Sequence, residues 1–288
     1  MEFDDLTDYR WLENGQSAFS GKILDLYRDL DGMFLDWAGA FGAVEYRFPA
    51  LISARELARI DYFRSFPHLV TFPVALDPSD SNIQRFIDNS NAGDGGEVEL
   101  TSIAPVRDAL TPAACYHFYA HFRGERLAGP KYVTTCATCF RRESHYLPLA
   151  RQWSFSMREI VCIGTAEEVK AFLRAAETKA LSFFQRSGLR VELKTATDPF
   201  FNPSKNPKYL LQKLDPVKSE MVFGGRLAIG SVNFHRNYFG EAFDIRREGR
   251  EAFSGCIAFG LERFMYAFLA QFGPDEAGWP DLDSEGVK

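Results

Sequence analysis

No apolar run in this 288-residue chain is long enough to cross a bilayer, so no membrane partner is expected. The N-terminus, MEFDDLTDYR, is acidic and lacks the basic-then-apolar order of a secretory signal. Cysteine is sparse: five residues, an odd number in a chain this long, do not suggest a disulfide scaffold. His68, His117, His121, His145 and His235 show no ligand spacing. Basic charge is also short. Lys and Arg number 33 against 39 Asp and Glu, and the net charge of -6 is a poor basis for a general nucleic-acid binder. A cytoplasmic location is expected. No internal repeat breaks the chain into smaller units.

Apolar residues make up 46% of the chain, with 27 phenylalanines, enough for one large domain over residues 1–288. Residues 16–38 read as a helix, with Phe19, Ile23, Leu26, Leu30, Met33, Phe34 and Trp37 along one stripe. Ala43 to Phe48 reads as a strand, Ser53 to Ser65 as a helix, Leu69 to Val74 as a strand. Asn91 to Gly96 is a turn, and Thr111 to Arg123 a helix. Thr165 opens a helix with Glu167 and Glu168 in its first turn, and Gly188 stops it. Pro199 to Pro216 is a basic, aromatic connection. Ser219 to Phe223, Arg226 to Asn233 and Ala242 to Arg247 read as strands, Gly255 to Gln271 as the last helix. Strand-rich, glycine-punctuated sequence between helices gives an α+β class with a mostly antiparallel sheet.

The stretch from Thr134 to Ile163 is the most informative. Two apolar runs flank a polar loop, and each carries charge where a strand would bury it. Alternation puts Arg141 and Glu143 on one face of the first strand, and Phe155, Met157 and Glu159 on one face of the second. An unpaired buried charge is costly, so a polar set there marks a site. Taken alone, Arg141 and Glu143 also fit a solvated edge pair, Phe155 a core ring, and Arg263 a surface helix residue. Cys136 and Cys139 are three apart on a strand and point to opposite faces, which argues against a metal or redox CxxC.

This hairpin resembles motif 2 of the class II aminoacyl-tRNA synthetases. Tyr46-Arg47-Phe48-Pro49 resembles motif 1, and Phe259-Gly260-Leu261-Glu262-Arg263 resembles motif 3. Three motifs in order, over roughly residues 15–275, are most similar to the zinc-containing archaeal seryl-tRNA synthetase core. The resemblance implies the class II catalytic fold and ATP with Mg²⁺ as the activating substrate. It implies that Arg141 sits on the α-phosphate, Glu143 near adenine, Phe155 under the adenine ring and Arg263 on the γ-phosphate. Arg151 would clamp the β- or γ-phosphate, and Ser231 and Asn233 would line the amino-acid pocket. The usual Mg²⁺-binding glutamate has no obvious counterpart. Cys115, Glu159 and Cys256 match the positions that hold one Zn²⁺ per chain, whose open fourth position takes the substrate's amine. By spacing alone they form no zinc motif, and both cysteines also read as small buried fillers.

Fewer than fifty residues precede Pro49 and no arm with sustained heptads is legible, so no tRNA is expected as partner. That combination resembles the amino acid:[carrier protein] ligases. It implies activation of a small amino acid, glycine or alanine, and transfer to the phosphopantetheine thiol of a small acidic carrier protein. A homodimer through Tyr46 to Ser65 is expected on the same ground. Two basic stretches are candidate docking faces: Lys170, Arg174, Lys179 and Arg186 on one helix, and the run from Lys205 to Lys218. Rival readings are a tRNA-charging seryl-type enzyme, a non-catalytic synthetase-like regulator, and a different ATP-dependent ligase.

Overall fold

The computed structural model describes residues 6–89 and 95–282. The turn expected at Asn91 to Gly96 lies outside the described residues as far as residue 94. The chain opens with a hairpin, β1 (Tyr9–Leu12) and β2 (Gln16–Phe19), where a helix from residue 16 was expected. Gly15 makes the turn at φ +80°, and a Cβ there would meet the Tyr146 ring at 2.5 Å. The helix, α1, runs Gly21–Ala40 and buries Ile23, Leu26, Leu30, Met33, Phe34 and Trp37. Next come β3 (Val44–Glu45), β4 (Leu51–Ser53), α2 (Ala54–Arg59), α3 (Tyr62–Ser65) and α4 (Asp80–Asn89). Asp61 in a left-handed conformation divides α2 from α3, where one helix was expected. No strand forms over residues 69–74.

β5 (Asp108–Leu110), α5 (Tyr116–His121) and β6 (Arg126–Leu127) lead to the long hairpin of β7 (Lys131–Phe140) and β8 (Ser154–Gly164). α6 (Ala166–Ser187) begins with a complete capping box between Thr165 and Glu168 and ends at left-handed Gly188. Then follow β9 (Val191–Thr195), a 3₁₀ turn at Pro203–Lys205, α7 (Pro207–Leu214), β10 (Lys218–Phe223) and β11 (Leu227–Arg236). α8 (Tyr238–Phe243), β12 (Arg246–Arg247), β13 (Arg250–Glu251), β14 (Phe253–Gly260) and α9 (Leu261–Phe272) complete the order. Two expectations change here. Ala242 to Arg247 holds the end of α8 and a two-residue strand, and Gly255 to Gly260 is strand, with the helix starting only at Leu261.

The central sheet has seven strands in the order β3-β7-β8-β14-β11-β10-β9. Only its β3–β7 edge pair is parallel. This is an α+β fold with a mostly antiparallel sheet flanked by helices. One sheet face packs on α1, α6 and α9 through Phe34, Trp37, Phe183, Phe259, Phe264 and neighbouring aliphatic residues. Gly255 lets α6 approach: a Cβ there would meet Leu173 at 2.8 Å and Val169 at 2.9 Å. The other face meets α2, α5 and α8 through a second cluster around Phe118, Tyr119 and Phe239, and there it opens into a cavity. Cys136 lies beside Tyr27 of α1, whereas Cys139 packs with Ala114 and Ala137 on the cavity side.

Candidate active site

Strand register assembles the site. Ser231 of β11 pairs with Ala258 of β14, Ala258 with Glu159 of β8, and Glu159 with Thr135 of β7. The adjacent row on the same face is Asn233, Cys256, Val161 and Val133. Paired residues put their side chains on one face, so Glu159 and Cys256 meet there although they are far apart in sequence. Cys115 enters from the start of α5, and its backbone N–H donates to Glu159 Oε1 at 3.2 Å.

The ligand atoms of Cys115, Glu159 and Cys256 all lie within 4.8 Å of one another, and all three residues are buried. The hydrogen bond between the thiols, together with burial and the Glu159 charge, holds Cys115 well above the ordinary thiol range. For Cys256 the bond to Cys115 favours the thiolate, but burial and Glu159 outweigh it and its range is raised too. Three groups that are anionic when deprotonated are costly together at low dielectric unless a cation joins them. Two thiolates and one carboxylate are a competent donor set for a divalent metal.

Arg141 and Arg263 open on the same cavity. Arg141 Nε donates to Pro112 O at 2.9 Å, and its guanidinium lies 5.2 Å from the Phe155 ring centre. Arg263, at the start of α9, donates to Ala150 O at 2.8 Å and Ala228 O at 3.2 Å. Burial, with Arg141 and Arg151 nearby, pulls Arg263 below the usual guanidinium range. An anion in the cavity would be favoured by the charges of Arg141 and Arg263. Glu143 faces the cavity and accepts from Arg151 Nη1 at 2.9 Å. Arg151 itself does not line the cavity. Glu262, which the sequence reading left unused, accepts the Ser156 N–H on both oxygens at 2.9 and 2.8 Å. Burial pushes its carboxyl up to about 7. It thereby ties the start of α9, and so Arg263, to β8.

The cavity holds about 430 Å³. Arg141, Glu143, Phe155, Arg263, Ser231, Asn233 and the three clustered ligands all line it. Its remaining wall includes Asp198, Gln212 and Lys218, linked by Lys218 Nζ to Asp198 Oδ1 at 3.1 Å and Gln212 Nε2 to Asp198 Oδ2 at 2.8 Å. His235 also faces it, and burial lowers the imidazole to about 4, so it is neutral at neutral pH. Alternation of Ser231, Asn233 and His235 along one strand was the signal that could have found His235.

The two basic stretches fall on different sides. α6 packs through Val169, Phe172, Ala176 and Phe183 on the apolar face, so its basic residues lie across the sheet from the cavity. On α7, by contrast, Lys208, Leu211 and Gln212 line the cavity itself.

The model of the tRNA synthetase class II core domain (G, H, P, S and T) matches residues 106–272. This chain belongs to the class II tRNA synthetase family. Two amino acid–[acyl-carrier-protein] ligases of Bradyrhizobium diazoefficiens are similar to it. Ligase 1 is 34% identical over 83% of this chain and 74% of its own length. Ligase 2 is 36% identical over 81% of this chain and 71% of its own length. A type-2 serine–tRNA ligase of Methanococcus maripaludis is 24% identical over 97% of this chain and 58% of its own length. The solved structure of M. kandleri SerRS with A. aeolicus tRNASec superposes with a TM-score of 0.79 at 20% identity. The match covers 95% of this chain and 57% of that one.

A class II member of this kind is a ligase that activates an amino acid with ATP, and its buried Cys-Glu-Cys cluster is metal-binding in character. The expectation of no tRNA does not stand. Type-2 serine–tRNA ligases match over 95–97% of this chain, and the superposed SerRS was solved with a tRNA. Net charge sums the whole surface and forbids no local tRNA contact. Among the described residues no helix is long and apolar enough to cross a membrane.

Proposed function

We propose that this class II ligase forms a glycyl- or alanyl-adenylate and passes the aminoacyl group to the phosphopantetheine thiol of a carrier protein. The observation that carries this reading is that the metal-type cluster and the arginine pair open on one cavity. An amino acid bound at the cluster and a triphosphate bound at the arginines would share one enclosed space.

In the first step a carboxylate oxygen attacks the α-phosphorus of ATP. An O–P bond forms, and the bond to the pyrophosphate oxygen breaks. Arg141 lies on the α-phosphate, Phe155 under adenine, Glu143 at the base edge, and Arg263 on the γ-phosphate. Arg151, paired with Glu143, reaches the outer phosphates when that pair opens. Fixed charges aimed at developing charge and held geometry supply most of the acceleration. Cys115, Glu159 and Cys256 would hold one Zn²⁺, which supplies an open position for a deprotonated amine and so selects amino acids over plain acids. Ser231 and Asn233 line the side-chain end, and ATP arrives with Mg²⁺. In the second step the carrier thiolate attacks the carbonyl carbon, the C–S bond forms and AMP leaves. No cysteine of this chain is acylated.

We place the carrier at α7 rather than α6, because α7 borders the cavity and Leu210, Leu214, Lys205 and Lys213 are exposed there. A second copy would cover the exposed Val44 and Leu51 at the motif 1 segment, and five free cysteines suit the cytoplasm.

Amino-acid-dependent ATP–pyrophosphate exchange across all twenty amino acids tests the first step. Exchange with glycine or alanine supports the reading, and exchange only with serine would redirect it to a seryl enzyme. Labelled amino acid then goes to holo-carrier protein and to tRNA side by side. The matches to type-2 serine–tRNA ligases make tRNA the rival acceptor. Charging of tRNA without thioester would overturn the carrier reading.

A further inference from the structure

Two side-chain nitrogens approach the Cys256 sulfur: Asn233 Nδ2 at 3.4 Å and His235 Nε2 at 3.7 Å. Both residues stand on β11, two positions apart on one face, and Asn233 is the direct cross-strand partner of Cys256. The Asn233 amide also reaches Ser231 Oγ at 3.0 Å. Its two N–H bonds are thus committed within the sheet, which leaves the amide oxygen for the cavity.

Whether His235 donates to the sulfur depends on its other nitrogen. Nδ1 sits 3.1 Å from the Tyr119 hydroxyl and 3.2 Å from Ser254 Oγ. Tyr119 is fully buried, and its ring stacks on Phe239 at 3.9 Å, so the phenol is fixed in place. A phenol that donates to Nδ1 leaves the ring proton on Nε2, facing Cys256. The opposite tautomer would aim a bare nitrogen lone pair at a thiolate, which is repulsive. Formation of the thiolate and the Nε2–H tautomer therefore favour each other.

We propose that His235, set in its Nε2–H tautomer by Tyr119, and Asn233 form a two-donor cradle that holds Cys256 as a thiolate ligand. Both are positioning residues, acting on a metal through its ligand. The inference rests on the reading of the Cys115, Glu159 and Cys256 cluster as a metal site. N–H donors draw charge from a ligating sulfur, so the ion keeps more of its Lewis acidity for an incoming amine. The cradle also accounts for a half-buried histidine that contacts the Cys256 sulfur without joining the three clustered ligands as a fourth.

The test uses the full chain loaded with Co²⁺, with no ATP or amino acid present. Sulfur-to-cobalt charge-transfer absorption and the rate of metal loss to a chelator are the readouts. In His235→Leu the charge-transfer band should move to lower energy, and metal loss should quicken by about 10-fold or more. His235→Gln, which keeps an N–H near the Nε2 position, should restore most of both. Tyr119→Phe keeps the ring and leaves Nδ1 only the Ser254 hydroxyl at 3.2 Å, and should fall between the two. If His235→Leu does not fold, the Tyr119→Phe spectrum decides. Wild-type band and release rate in His235→Leu and Tyr119→Phe would overturn the cradle. So would a His235→Gln protein indistinguishable from an altered His235→Leu, since packing alone would explain that. Wild-type protein that takes up no cobalt would overturn the metal reading itself and the cradle with it.

Discussion

The two faces of the central sheet use the same strands for opposite ends. On β8, Ile160 and Cys162 point into the apolar layer, while Phe155, Met157 and Glu159 border the cavity. On β14, Ile257 and Phe259 belong to the first set, Cys256 and Ala258 to the second. The apolar face is a dense aromatic layer in which Phe34 stacks on Phe259 with ring centres 3.8 Å apart. The cavity face gathers groups that can carry charge: Arg141 and Arg263 of one sign, and the three potential anions Cys115, Glu159 and Cys256 of the other. Period-two alternation lets one strand anchor the fold and hold a costly polar set without either function compromising the other. The apolar face stabilises; the cavity face spends part of that stability on chemistry.

A mirrored pair of substitutions would break the comparison most sharply. Phe259→Ala empties a fully buried ring and should cost about 3–5 kcal/mol in urea unfolding. The molecules still folded should keep full metal content and exchange activity. Arg141→Ala should do the reverse, lowering ATP–pyrophosphate exchange by about 10²–10³ while leaving the unfolding midpoint nearly unmoved. Equal loss of stability and exchange in either variant would show that the faces are coupled.

Glu262 lies where the two functions touch, and it sharpens the comparison by pH. Its native carboxyl titrates at about 7, against an ordinary value of 4.5. Below 4.5 both native and unfolded states hold the proton. Between 4.5 and 7 the native state alone holds it, so stability falls as pH rises through that window and is level above it. The full difference is on the order of 3 kcal/mol. Glu262→Gln mimics the protonated form, so this part of the slope should vanish and the variant should gain on wild type by pH 8. Parallel unfolding midpoints for the two proteins from pH 5 to 8 would show that the Ser156 N–H bonds fully offset the burial.

The fold was legible where a local signal was unambiguous. Alternation of Phe155, Met157 and Glu159 marked β8 of the hairpin, whereas Arg141 and Glu143, expected on a face of the first strand, lie beyond its end at Phe140; α6 declared itself by its Thr165–Glu168 cap and Gly188 stop. β14 was misread as helix because Phe253–Gly260 is almost wholly buried on both faces. Its small and apolar residues then show no period of two, and short apolar runs are ambiguous between strand and helix. Cys115, Glu159 and Cys256 were found by resemblance, since their meeting depends on register across three elements. The bonds of Glu262 to Ser156 and of His235 to Cys256 had no local signal, because each is completed by a partner on another element.

The smallest expected effect separates the faces by what they recognise. α6 offers Lys170, Arg174, Lys179 and Arg186, but Lys170 lies 5.3 Å from the Phe234 ring and Lys179 5.9 Å from the Trp37 ring, so both side chains partly serve the apolar layer. α7 offers Lys213 beside Leu214, which is 84% exposed, on the helix whose Leu211 and Gln212 border the cavity. On the proposed carrier reading, a phosphopantetheine arm entering beside α7 would open straight onto the cavity, whereas one from α6 would have to pass around the sheet. Lys213→Glu should therefore raise the KM for an acidic carrier about fivefold, roughly 1 kcal/mol for a rim charge, and leave exchange unchanged. Paired reversal of Lys179 and Arg186 should change neither step. A transfer defect in the α6 pair with none in Lys213→Glu would mean that the carrier docks on the apolar side, and the division of labour between the faces would not extend to the partner.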